Sequence, residues 1–144
     1  MGKRLKYSLP LLMVVLLGIT LLSASSMTNI SDYAKLINYV GIVRGASQRV
    51  VKLETNNMPD DEVVDYVSGI VEELVTGQGS YGLIRTKCQP LNDNLELLQR
   101  KWLSMKEEFA HVRSGADKSE LLRLSEEFFD LANDTVFIIE EYSS

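Results

Sequence analysis

The chain is short of the residues that most catalytic and metal chemistry uses. Among its 144 residues there is one cysteine, Cys88, and one histidine, His111. A lone thiol excludes an intramolecular disulfide and a zinc site built from cysteine pairs. It also leaves little material for a nucleophile–base pair or a metal centre. Cys88 reads as an incidental residue near a turn, and His111 as a surface or packing residue of a charged helix. Carboxylates are plentiful, but pairs such as Asp60/Asp61 and Glu107/Glu108 are adjacent in sequence and so point to different sides of a helix. No phosphate-binding glycine loop and no alternating strand pattern occurs. An enzyme is therefore not expected, and no cofactor or metal is implied.

Clustered positive charge is missing too. Three of the fifteen basic residues, Lys3, Arg4 and Lys6, lie at the N-terminus; residues 28–144 keep twelve against all twenty acidic ones, a net charge of −8. Phosphate affinity comes from clustered Lys and Arg, so nucleic acid is excluded as a partner. No charge of either sign falls between Lys6 and Asp32. The apolar core Leu9 to Leu22, extended by Ser23 to Met27, reaches about the 20 residues that cross a bilayer as a helix. Lys3, Arg4 and Lys6 precede it and no cation follows until Lys35, which predicts a cytoplasmic N-terminus and an exported remainder. Residues 1–27 thus read as cytoplasmic tip and anchor, with the membrane contact over 7–27, and 28–144 as an extracytoplasmic domain. A signal peptide cleaved near Ser23-Ala24-Ser25 is the alternative. Either way a domain without disulfides must be held by its apolar core.

The rest is helical in pattern. Residues 32–54 carry two adjacent stripes, Tyr33, Ile37, Val40, Arg44, Ser47, Val51 and Leu36, Val40, Val43, Ser47, Val50, so this helix has more than one neighbour. Asn56, Asn57 and Pro59 end it. Asp60 or Asp61 caps a second helix with Val63, Val67, Ile70 and Leu74 on one face; Gly77, Gly79 and Gly82 then mark a flexible stretch, pinned by Tyr81, Leu83 and Ile84. The third begins near Pro90 and holds Leu91, Leu95, Leu98, Trp102, Met105, Phe109 and Val112 at unbroken 4-3 spacing as far as Ser114-Gly115. Asp117 and Glu120 form a capping box for the last helix, with Leu121, Ser125, Phe128, Ala132, Thr135, Ile139 and Tyr142 inward. The expected fold is all-α: an N-terminal transmembrane helix continuing into an antiparallel up-down-up-down four-helix bundle.

One stretch carries more than packing needs. Ile37 to Arg49 sets Asn38, Arg44 and Gln48 among apolar residues and places Gly41 and Gly45 four apart. A buried guanidinium must be compensated or it costs several kcal/mol. Arg44 can pair with a carboxylate of a neighbouring helix, snorkel to solvent at the rim, or face a two-fold axis where two copies hold a small anion between them, since a planar guanidinium suits oxyanions. Gly41 and Gly45 cost helix stability and suggest a close backbone approach. Asn38 can fix register across the bundle. Arg49, about 140° round the helix from Arg44, serves another contact.

The pattern Ile37-Asn38-x-x-Gly41-x-x-Arg44-x-x-Ser47-x-Arg49 resembles the ligand-box helix of bacterial nitrate/nitrite sensor kinases and the N-terminal region of type IV pilus chemoreceptors. Such four-helix domains stand at the front of sensor kinases in two-component systems, chemotaxis receptors and diguanylate cyclases. The run Leu122-x-x-Ser125-Glu126-x-x-Phe129-x-Leu131-Ala132-Asn133-x-Thr135-Val136 and Trp102 extend the likeness over most of residues 30–144. The resemblance implies a homodimeric extracytoplasmic sensor whose first box arginine, here Arg44, binds an anion at the dimer interface. Asn38, Gly41, Ser47, Gln48 and Arg49 complete the candidate ligand-binding set. Gly45-Ala46 and Val40 depart from the nitrate pattern, so the ligand class is a small anion: nitrate, nitrite or a small carboxylate. Such receptors continue into a second span and an output kinase, cyclase or chemotaxis module, none of which the sequence encodes before Ser144; a truncated or split receptor is expected. The rival is a membrane-anchored helical-bundle interaction protein or scaffold without a small-molecule ligand.

Overall fold

The computed structural model describes the backbone of residues 2–143 and the side chains of residues 10, 12–20 and 31–143. Among the described residues the chain is all-α, with α1 at Gly2–Thr55, α2 at Asp61–Thr76, α3 at Gln89–Arg113 and α4 at Ser119–Ser143, and no strand. It divides into two units, residues 1–32 and 33–144.

In the first unit Leu12, Met13, Val14, Val15, Leu16, Leu17 and Ile19 all stand at least half exposed, on every side of the helix. No helix among the described residues is long and apolar enough to cross a membrane. The charged flank Lys3, Arg4 and Lys6, the Ser23-Ala24-Ser25 site and the expected boundary at Met27 lie outside the residues whose side chains are described.

The second unit owes its helix boundaries to local chemistry. The α1 end is a Schellman motif: Asn57 takes φ 57°, Met58 N–H donates to Leu53 C=O and Asn57 N–H to Glu54 C=O. Asp60 then caps α2, its Oδ1 accepting from Val63 N–H at 3.3 Å. Gly77 closes α2 at φ 66°, where a Cβ would lie 2.5 Å from the Arg85 nitrogen. Pro90 sits in the first turn of α3, and Gly115 at φ 95° completes a second Schellman motif with Ala116 N–H on His111 C=O. The expected capping box before α4 is not formed. Asp117 does accept from Ser119 N–H, but Glu120 turns away to Arg123, a charged partner one turn ahead.

The core fills from matching stripes. All seven α3 positions from Leu91 to Val112 are buried, as are Val67, Ile70 and Leu74 of α2 and Leu121, Ser125, Phe128, Ala132, Thr135 and Ile139 of α4; Tyr142 is exposed. On α1 the fully buried stripe is Leu36, Val40, Val43, Ser47 and Val50, which leaves Arg44 and Ile37 half-buried at its edge. Trp102 anchors the centre, its ring 5.8 Å from Phe109 and 5.9 Å from Phe128, with Nε1 donating to Ser68 Oγ at 2.9 Å. Cross-helix partners fix the directions: Arg44 meets Asn133 and Gln48 meets Ser125, while Asn94 meets Thr135 and Lys101 meets Glu127. Numbers rise on α1 and α3 as they fall on α4, so α4 runs against both.

Candidate functional site

Arg44 lies where α1 and α4 meet. Its Nη1 donates to Asn133 Oδ1 at 2.5 Å, and its guanidinium carbon sits 5.5 Å from the centre of the Phe129 ring. One turn on, Gln48 Nε2 donates to Ser125 Oγ at 3.0 Å. Ser47 is buried, and its hydroxyl donates back to Arg44 C=O at 2.9 Å, leaving no unsatisfied polar atom beside the core. Ser125, Phe129 and Asn133 are spaced four apart on α4 and so form one stripe along it, which α1 reads with Arg44 and Gln48.

Of the six expected site residues, three come together: Arg44, Ser47 and Gln48. Asn38 is exposed and not lodged among apolar neighbours, because it falls on the side of α1 opposite the Leu36–Val40–Val43 stripe. Gly41 is half-buried and Gly45 exposed, and a Cβ at either would meet nothing within 4 Å. The close backbone approach expected there does not occur among the described residues. Arg49 is exposed, on another face as expected, with Asp60 3.9 Å away. Arg44's partner on the neighbouring helix is an amide, where the pairing expectation had a carboxylate. Asn133, Phe129 and Ser125 are the residues missed as site members; their i, i+4, i+8 spacing was the signal.

The arginine contacts fall into two groups. Arg49, Arg85, Arg113 and Arg123 each face carboxylates, whereas Arg44 and the exposed Arg100 take part in none of the ion pairs among the described residues; of those two, Arg44 is the half-buried one. Arg113 grips Glu54, whose side chain is wholly buried, through Nε at 2.9 Å and Nη2 at 2.5 Å, and reaches Asp61 at 2.7 Å. Those hydrogen bonds, to Glu54 first, hold its pKa above the ordinary arginine value. Glu73 is the second buried acid. It accepts from Tyr81 N–H and Leu83 N–H, each at 2.8 Å, and so ties the glycine-containing connection to α2. Burial pushes its carboxyl up, but the Leu83, Tyr81 and Gly82 N–H groups and the Lys35 charge outweigh that and hold it below the ordinary glutamate value. A Cβ at Gly79 would collide with this carboxylate. Leu83 is buried as expected of a pin, whereas Ile84 is exposed.

Among the described residues no group of three or more His, Cys, Asp or Glu side chains is disposed to hold a metal. No family model, no curated protein and no solved structure matches the chain.

Proposed function

We propose that the chain is the ligand-sensing input module of a bacterial transmembrane signalling receptor: a membrane-anchored, homodimeric up-down-up-down four-helix bundle that binds a small anion through Arg44. The observation that carries the reading is the state of that arginine. It is half-buried, stacked near Phe129, and satisfied by the neutral amide of Asn133 in a domain with an excess of carboxylates. A guanidinium has five N–H donors in a planar fork, and no fully shielded side-chain N or O atom lacks a partner among the described residues, so its remaining donors reach solvent. A positive group held open toward solvent, with no carboxylate neutralising it, is suited to an oxyanion. The exposed apolar run Leu12 to Ile19 supports the anchor, since burial in lipid is the favourable state for so many large apolar side chains on one helix.

Binding would signal only if it favoured one packing of α1 against α4 over another. The test is calorimetric titration of the detergent-solubilised full chain with nitrate, nitrite and acetate. Binding of at least one, lost in Arg44→Ala, is expected. Equal binding by wild type and Arg44→Ala would put the ligand elsewhere, and no binding by wild type would leave the scaffold reading as the better one.

A further inference from the structure

We infer that Asn133 is a built-in competitor for the anion at Arg44, a neutral stand-in whose displacement couples ligand binding to the α1–α4 contact; this rests on the anion reading above. The carboxamide oxygen occupies one of the positions an oxyanion would take, 2.5 Å from Nη1. Its chemistry suits reversible release. An amide oxygen carries no net charge, whereas hydrogen bonds from a guanidinium to an ionised oxygen are roughly twice as strong. A small anion can therefore take the donor from Asn133, and losing the anion returns it. A carboxylate at position 133 would instead lock Arg44 as Glu54 locks Arg113.

The geometry also says what release would change. The Arg44–Asn133 bond joins residues 89 apart in sequence, and Gln48–Ser125 lies one turn of α1 away. These two side-chain contacts are polar ties between α1 and α4 beside the apolar core. Moving Arg44 from Asn133 to a ligand releases one α1–α4 tie at the level of the site, while the Gln48–Ser125 bond one turn away is kept. Asn133 is thus a positioning residue: it sets the affinity of Arg44 without needing to touch the anion.

The test is nitrate titration of the full chain in detergent micelles, for wild type, Asn133→Ala, Asn133→Asp and the double variant Arg44→Ala/Asn133→Ala, with far-UV circular dichroism confirming helix content. Asn133→Ser replaces the alanine variant if that one does not fold. Removing a competing neutral hydrogen bond of about 1 kcal/mol is expected to tighten nitrate binding about fivefold in Asn133→Ala. Asn133→Asp is expected to weaken it by about tenfold or more, because the introduced charge occupies the fork. The double variant is expected to bind none. A merely structural role would move alanine and aspartate in the same direction. Equal affinity in wild type, Asn133→Ala and Asn133→Asp overturns the inference and leaves the anion reading standing. No nitrate binding by wild type or by Asn133→Ala overturns both.

Discussion

At the scale of single residues, the contrast between Arg44 and Arg113 separates the proposed ligand chemistry from architecture. Both are arginines reaching across to another helix, but Arg113 faces a fully buried carboxylate and Arg44 a half-buried amide. Removing Arg44 takes away one hydrogen bond to a neutral group and some packing on Phe129. Arg44→Ala is therefore expected to cost only about 1 kcal/mol of stability, measurable as a small shift in a urea-unfolding midpoint, while abolishing anion binding. Trp102 sits at the other extreme, buried on three helices' side chains, and Trp102→Ala is expected to cost about 3–5 kcal/mol. Its burial was legible, because α3 repeats apolar residues without a break and leaves one possible inward face. The inward face of α1 was not, because Val40 and Ser47 belong to both of its stripes. In the fold Leu36, Val43 and Val50 are buried, and Arg44 lies at the edge against α4.

At the scale of elements, two buried carboxylates organise the parts that helix periodicity leaves open. Glu54 and Arg113 clamp the end of α1 to the end of α3, with Asp61 bringing in the start of α2 and Lys118 donating to Thr55 C=O nearby. Arg113→Ala would strand a buried charge, an effect of about 3 kcal/mol when one partner of such a pair is removed. The double change Arg113→Ala/Glu54→Leu is expected to recover much of that loss in the same urea titration. Glu73 does for the 77–88 connection what a bound anion does for a phosphate loop: backbone N–H groups converge on it. Its folded pKa lies below the unfolded value, so its contribution is present above the ordinary pKa of 4.5 and is lost as pH falls through the lower folded one. Thermal unfolding between pH 6 and pH 3 is expected to fall more steeply for wild type than for Glu73→Gln, which is less stable at pH 6. A parallel pair of curves would remove Glu73 from the acid sensitivity. Neither role was legible in advance. Glu54 and Glu73 look like ordinary helix-surface acids, and their partners are either 59 residues away or backbone groups of a turn.

At the scale of the whole molecule the question is where a second copy could approach an acidic domain. Residues 28–144 carry a net charge of −8, so two copies repel unless the touching faces are locally different. Between Tyr33 and Leu53 the only charges on α1 are Lys35, Arg44, Arg49 and Lys52, all basic, whereas the outward side of α4 carries Glu126, Asp130, Asp134 and Glu141. A second copy that set its α4 against this α1 would match opposite charges. It would also meet Gly41 and Gly45, whose absent side chains face open space within the chain. On the proposed dimer these glycines are the close approach that the single chain does not use. Gly45→Ala alone should favour the helix by about 0.5–1 kcal/mol, since alanine is the better helix former and meets no neighbour. The double variant Gly41→Leu/Gly45→Leu should keep a folded chain and lose the dimer, as read by sedimentation velocity of detergent-solubilised protein over a range of concentrations. Salt should weaken the wild-type dimer in the same assay, because the matched charges are exposed and screened. If the leucine variant dimerises as wild type does, the second copy meets some other face, and the Gly41–Gly45 side of α1 is not the dimer contact.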